Sequence, residues 1–239
     1  MREQPTPKDA AKLLYYLRSS QGRHQTAPGA GLTPHMALLR TWQSERLART
    51  HADLLASPRY GPACRFFLSD LYAPRDFSQR DHDIERIYDF MRRFLPPRLL
   101  RPLALAVELN ALTLQLDDAL LNALVNRLGM SGAINSPMVA EAYRLCDNYQ
   151  ERARQIDLIV AIGQDLGRLV RLPLISISLK LARAPAHRGG WFELQDFLER
   201  GLAAFKEMRG TKQFLRLVET REKKILDQIF AGNPDPFAL

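Results

Sequence analysis

The sequence predicts an all-α protein: a single helical-bundle domain of about eight helices, with long central helices. Helical periodicity recurs along the chain, and two of its segments open with a capping residue followed by proline. The alternation of apolar and polar residues that indicates strands does not occur. With 239 residues, of which 46% are hydrophobic, the chain can bury a substantial core without disulfides.

The elements follow from local signals, taken from the N-terminus. Residues 1–32 are predicted to form a short helix over 7–18 and a flexible linker rich in Gly, Ser and Pro. Thr33 before Pro34 caps the next helix, which is expected to reach about residue 56. Further helices are predicted over 62–72, 78–94, 99–128, 136–170, 174–183, 191–209 and 211–230. The all-helical domain then covers 33–230, and 231–239 is a C-terminal tail.

Two of these helices carry distinctive faces. The helix over 99–128 is apolar on most sides, so we expect it to be central in the fold. We expect only its one polar stripe to face solvent, a stripe formed by Gln115, Asp118, Asn122 and Asn126. The helix over 136–170 starts with Ser136 as its cap and has a narrow seam with small members such as Gly163 and Gly167. Small residues at those positions let another helix approach closely.

Charge and cysteine content limit the classes of partner. The 34 Lys and Arg residues against 26 Asp and Glu residues give a net charge of +8, which favours an acidic partner such as nucleic acid or an anionic membrane surface. The basic residues are dispersed and no nucleic-acid motif accompanies them, so sequence-specific nucleic-acid binding is not predicted. Cys64 and Cys146 lie in helical patterns and indicate no disulfide framework. No apolar run is long enough for a signal peptide or a membrane span, so we expect a cytoplasmic protein.

Signatures of catalysis and of metal binding are mostly missing from the sequence. No His-Glu-x-x-His occurs, and no Glu is followed three residues later by His, so a zinc protease and a di-iron bundle are not supported. Asp117 and Asp118, with Asp147 and Glu151, invite comparison with the paired acidic motifs of all-helical isoprenoid synthases, but the expected third carboxylate is lacking. We therefore predict no catalytic residue, no metal ligand and no cofactor.

One polar group on core-facing positions is the sharpest functional signal. A helical projection places Leu39, Trp42, Arg46 and Asp53 in one sector of the helix that begins at Pro34. Charges on an inward face are costly unless they are paired. The sequence therefore predicts a hydrogen-bonded network of Arg and Asp residues beside aromatic side chains, formed by Trp42, Arg46, Asp53, Asp70, Tyr72, Arg80 and Asp81.

At these residues the chain resembles a family of bacterial proteins of unknown function named for the motif Phe-Phe-Leu-Glu-Glu-Leu-Tyr. The stretch 66–72 matches that motif with Ser69 and Asp70 in place of the two glutamates. The resemblance covers about residues 35–130 most clearly. It implies an all-helical fold and carries over no activity.

Three interpretations of the network stay open. It can fix how three helices pack, or it can form a pocket that binds an anionic or amphipathic small molecule through Arg46 and Arg80, with Trp42 and Tyr72 as walls. An enzyme that uses the carboxylates as acid and base is the third. We expect a ligand-binding or protein-interaction module, with a homo-oligomer possible.

A haem-binding bundle is the alternative function. His51 on an N-terminal helix, followed about 110 residues later by Gly163 and Gly167, looks like the order of proximal histidine and glycine-relaxed distal helix in haem oxygenase. His51 projects between Leu47 and Leu55, which is compatible with a haem ligand and equally with a partly buried histidine.

Overall fold

The structure, a computed structural model, describes residues 33–68, 97–190 and 192–238, and over these residues the all-α prediction is confirmed. The described residues form α-helices and no strand. A 3₁₀ turn at Pro97–Leu99 precedes α4, and a π-helical turn at Ala123–Arg127 follows it. The predicted helices over 7–18 and 78–94 lie outside the described residues. The α-helices are α1 Pro34–Thr50, α2 Ala52–Ala56, α3 Gly61–Phe66, α4 Leu100–Asn122, α5 Ser136–Cys146, α6 Tyr149–Leu169, α7 Pro173–Arg188, α8 Phe192–Glu207 and α9 Lys212–Phe230.

Contacts divide the chain into two compact units. The first unit comprises Met1–Ala30, Arg75–Glu108 and Ala161–Thr211, and the second comprises Gly31–Pro74, Leu109–Val160 and Lys212–Leu239. Helices α4 and α6 each contribute residues to both units. The domain boundaries predicted at residues 33 and 230 stay a prediction.

Capping residues start the helices largely as the sequence indicates. Thr33 Oγ1 accepts a hydrogen bond from the Met36 amide at 3.3 Å, and Pro34 occupies the first turn. At α5 the cap is Asn135, not Ser136 as predicted, because the Asn135 side chain accepts from the Met138 amide at 2.9 Å. Asn is as good an N-cap as Ser, and the cap therefore moves one residue towards the N-terminus.

Two helices that the sequence predicts as continuous are each divided into two in the structure. The predicted helix over 33–56 is interrupted at His51, where φ is −116°, and the helix over 136–170 is interrupted at Asp147, where φ is +48°. Asp tolerates the left-handed region better than most residues, so Asp147 ends α5 without the help of glycine. In contrast, α7 continues through Pro185 to Arg188, beyond the predicted end at 183.

Each unit has its own apolar core. In the first unit the inward faces of α4, α6, α7 and α8 form it, and Gly167 of α6 lies so close to Thr211 that an added Cβ would be 2.4 Å from Thr211 Oγ1. The small residue predicted for close approach thus meets a neighbouring segment. In the second unit the core joins α1, α4 and α5, and its fully buried side chains are Leu39, Leu120, Leu124, Val139 and Ala142.

No helix within residues 33–68, 97–190 and 192–238 is both long enough and apolar enough to cross a bilayer.

Candidate functional site

A cavity of about 110 Å³ lies in the second unit. Its walls are mostly apolar and come from α1, α6 and α9, with contributions from α2, α3 and α5. A single water needs roughly 10–15 Å³ measured in this way, so the cavity has room for several waters or one small organic molecule. The apolar part of the wall includes Leu47, Ile156, Ile159, Val218, Ile225 and Phe237.

A buried ion pair lies on one side of the cavity. Arg46 Nη1 donates to both carboxylate oxygens of Glu222, at 2.7 and 2.6 Å, and both side chains are nearly inaccessible. His51 Nε2 lies 2.9 Å from Glu222 Oε1, and His51 itself is buried. The Glu222 carboxylate of α9 is therefore bonded both to Arg46 of α1 and to His51, the residue that follows α1.

The interruption at His51 makes this arrangement possible. Residues five apart on an unbroken helix point about 140° away from each other, so Arg46 and His51 would not share a partner there. Helix α1 ends at Thr50, and His51 has φ −116° and ψ 27° before α2 begins. The change of direction lets both side chains reach Glu222.

Glu222 is ionised at neutral pH. Burial raises the pKa of its carboxyl, but the nearby charge of Arg46 and the hydrogen bonds from His51 and Arg46 outweigh burial and lower that pKa from 4.5 to about 2. An ionised carboxylate accepts hydrogen bonds only, so His51 donates from Nε2. His51 Nδ1 is buried with no hydrogen-bond partner among the described residues.

A second guanidinium in the cavity wall bonds no carboxylate among the described residues: it interacts with Asp117 through charge alone, and the Asp117 carboxylate is hydrogen-bonded to Gln43. Arg152 of α6 is only 4% exposed. Its Nη2 donates to the Leu116 carbonyl at 3.0 Å, its guanidinium carbon lies 4.2 Å from the centre of the Tyr143 ring, and its Nε has no partner in the part of the chain that the structure describes. Among its charged wall residues the cavity thus has two guanidinium groups against one carboxylate.

The structure separates the residues that the sequence placed in one network. Arg46 lines the cavity, as a polar network predicts, but its carboxylate partner is Glu222 and not Asp53. Asp53 is exposed and pairs with Arg221, whose guanidinium holds the pKa of the Asp53 carboxyl down at about 2. The prediction that Asp53 is buried was wrong. Asp53 follows the interruption at His51, so a projection that treats 34–56 as one helix does not apply to it.

Trp42 packs in the core of the second unit and is absent from the cavity wall. Its ring meets Phe237 edge to face, with 5.3 Å between the ring centres. The remaining predicted site residues, Asp70, Tyr72, Arg80 and Asp81, lie outside the described residues, as does the second half of the motif over 66–72.

Sequence reasoning missed Glu222 and Arg152. A signal for Glu222 exists, because Leu215, Val218, Glu222, Ile225 and Ile229 follow one another at spacings of three and four on α9. A carboxylate inside an apolar stripe indicates a buried charge that needs a partner. The stripe alone gives no indication that the partner is Arg46, 176 residues away.

Comparison with known protein families assigns the chain to a family. A family model described as "Domain of unknown function (DUF8198)" matches residues 22–236. The chain belongs to this family. Searches of curated proteins and of solved structures found no match. The DUF8198 match contains every residue that lines the cavity except Phe237.

The paired acidic residues of this DUF8198 domain do not converge. Asp117 is buried, where it accepts from Gln43 Nε2 at 2.9 Å, and burial raises the pKa of its carboxyl. Asp118, Asp147 and Glu151 are exposed. Among the residues described, no three His, Cys, Asp or Glu side chains are grouped so that they could bind a metal ion.

The two features behind the haem hypothesis have other roles in the structure. His51 Nε2 is engaged by Glu222, and the space beside Gly167 is filled by Thr211. The haem hypothesis therefore depends on the sequence pattern alone.

The buried Glu222 predicts a specific acid dependence of stability. Its pKa in the folded protein, about 2, is below the ordinary value of 4.5, so the unfolded state binds more protons between these two pH values. Stability contributed by Glu222 is present above pH 4.5 and is lost as the pH falls towards 2. We expect the free energy of unfolding, measured by urea titration at several pH values, to fall across this interval.

In Glu222→Gln that fall should be smaller, because glutamine does not titrate, although Asp53 continues to contribute to it. An equal fall in wild type and variant would show that Glu222 is protonated alike in both states.

Proposed function

We propose that the protein binds a small carboxylic acid, with an apolar body and one carboxylate, in the cavity of the second unit. The observation that supports this most directly is Arg152, a guanidinium buried in the cavity wall with no carboxylate bonded to it in the described part of the chain. A buried charge is costly without a counterion. A carboxylate ligand would supply that counterion.

The electrostatics of the cavity favour an anion over a cation. Glu222 already neutralises Arg46 through two short hydrogen bonds, so its carboxylate is not free to bind a positive ligand. Arg152 makes one hydrogen bond, to the Leu116 carbonyl, and contacts the Tyr143 ring. A guanidinium has five N–H donors in a planar fork that matches the two oxygens of a carboxylate. Arg152 therefore has donors left for a ligand.

The size and walls of the cavity restrict the body of the ligand. An apolar cavity of about 150 Å³ in another protein binds benzene. The cavity here, about 110 Å³, suits a body of benzene size or slightly smaller. Ile156, Ile159 and Val218 offer it apolar contact. Benzoate and short branched carboxylic acids are the probes that combine this shape with one negative charge.

Calorimetric titration with benzoate tests the proposal, with benzamide as a neutral probe of the same shape. We expect benzoate to bind at least about tenfold more tightly than benzamide, because a hydrogen bond to a charged group contributes roughly 1.5–3 kcal/mol. Arg152→Met should abolish this preference. Arg154→Met is the matched control, since Arg154 is an exposed arginine on the same helix and should leave binding unchanged.

The stability of Arg152→Met separates binding from packing. If Arg152 serves a ligand, the ligand-free variant should unfold within about 1 kcal/mol of wild type or be more stable, because an apolar side chain replaces a buried charge that bonds no carboxylate among the described residues. Equal affinity for benzoate and benzamide, or no binding of either, would contradict the proposal. A loss above about 3 kcal/mol in ligand-free Arg152→Met would favour the packing interpretation instead.

A further inference from the structure

Helix α7 in the first unit carries an apolar stripe on its outer face. Leu174 is 73% exposed, Ile177 52% and Leu181 74%. These positions are three and four residues apart, so they lie on one side of the helix. The opposite side packs in the core of the unit through Ile175, Leu179, Ala182 and Ala186. Helix α7 thus packs in the core of the unit with one face and exposes apolar side chains on the opposite face.

Phe192 extends this surface. It is 45% exposed at the start of α8, and its ring stacks on His187 near the end of α7, with 6.1 Å between ring centres. We call the four side chains Leu174, Ile177, Leu181 and Phe192 the α7 ridge. Large apolar side chains that are exposed together on one helix face, as Leu174, Ile177 and Leu181 are, indicate an interaction surface.

The segment that carries most of the α7 ridge is positively charged. Residues 166–190 contain five Lys or Arg residues and no Asp or Glu, and two of the five, Arg168 and Arg183, are paired with Asp165 and Glu199 outside this segment. Arg171 precedes the helix, Lys180 lies within it and Arg188 ends it, and all three are exposed. At 100° per residue, Arg188 lies on the same face as Leu174, Ile177 and Leu181, and Arg171 lies in the turn that precedes the other end of the helix. The surface that complements this one is apolar and negatively charged.

We propose that the α7 ridge docks onto an anionic phospholipid surface, lying in the interface without spanning it. An amphipathic helix with Leu and Ile on one face and cations beside them inserts its apolar side chains at the level of the headgroups. Arg171, Lys180 and Arg188 then reach the lipid phosphates. The attraction of such cations is strongest at low ionic strength and declines within a Debye length.

A second copy of the chain complements the ridge less well. If two ridges packed antiparallel, Arg171 of one copy would meet Arg188 of the other, and parallel packing would bring identical cations together. Both arrangements place acid-free segments with like charges in contact, which is unfavourable. A bilayer has no such conflict.

The test is cosedimentation of the full chain with vesicles of phosphatidylcholine alone, or with about 30% phosphatidylglycerol, at low and at high salt. We expect binding to the anionic vesicles, at least about fivefold weaker binding to the neutral ones, and loss of binding at high salt. Leu174→Ser combined with Leu181→Ser should lower the bound fraction at least about fivefold, and the fold should persist because both side chains are exposed.

A pair of charge variants separates a defined surface from general attraction by net charge. Arg171→Gln with Arg188→Gln should reduce vesicle binding. Arg49→Gln with Arg154→Gln changes the net charge equally at exposed residues of the second unit and should leave binding unchanged. Equal effects of the two pairs would overturn the proposal, as would absence of binding to anionic vesicles. The proposal would also be overturned if the protein did not bind vesicles and light scattering showed a dimer that the Leu174→Ser, Leu181→Ser variant does not form.

Discussion

Glu222→Ala is expected to lower the free energy of unfolding by about 3–5 kcal/mol, because it leaves the buried guanidinium of Arg46 without its counterion. Arg46 and Glu222 are both nearly inaccessible to solvent, and two hydrogen bonds of 2.6–2.7 Å join them. His51 loses its acceptor in the same variant. Urea titration of the variant and the wild type at neutral pH measures the effect.

Asp53→Ala is the matched control for that measurement. It too removes a carboxylate that bonds an arginine, in this case Arg221 of α9, the neighbour of Glu222. Asp53 is 59% exposed in its side chain, and exposed ion pairs contribute roughly 0–1 kcal/mol. The sequence alone had placed Asp53 in the network on core-facing positions, so the two variants also test the corrected pairing.

Two outcomes would contradict the buried pair. One is a loss within about 1 kcal/mol in Glu222→Ala, which would mean that water reaches Arg46. The other is an equal loss in Glu222→Ala and Asp53→Ala. If Glu222→Ala does not fold, Glu222→Gln, which preserves shape and one acceptor, should still be less stable than Asp53→Ala.

The fold could be predicted because its signals are local. Capping by Thr33 and the apolar stripes of the helices depend on residues within a few positions, and the structure places helices there. The interruptions at His51 and Asp147 could not be predicted in this way. Neither is glycine or proline, and each ends a helix at a residue that a continuous periodic pattern includes.

The site could be predicted only in part because its partners are distant in sequence. A projection of one helix identifies an inward charge such as Arg46, and His51 was considered only as the ligand of the alternative haem hypothesis. It does not identify the carboxylate that meets them, which comes from α9. Arg152 was missed because the seam assigned to its helix passed through Tyr149, Ala153 and Ile156 and left Arg152 beside it. Charges within apolar stripes are the signal to search for in such a sequence.

Trp42→Ala is the second change with a large expected effect, a loss of about 3–5 kcal/mol in the free energy of unfolding. Trp42 is 9% exposed in the core of the second unit, and its ring meets Phe237 edge to face. Removal of the indole leaves a cavity and deletes that aromatic contact. Trp42→Phe should cost less, because most of the volume and one aromatic ring remain.

Binding distinguishes this interpretation of Trp42 from the pocket wall that the sequence suggested. Phe237 lines the cavity and Trp42 does not, so benzoate should bind Trp42→Phe as it binds the wild type, whereas Phe237→Ala should alter its affinity. The cycle formed by Trp42→Ala, Phe237→Ala and their double variant gives the coupling of the two rings, expected at about 0.5–1.5 kcal/mol for an aromatic pair. A tenfold loss of benzoate affinity in Trp42→Phe would return Trp42 to the wall of the cavity, since at fixed packing only direct contact with the ligand explains a loss of that size.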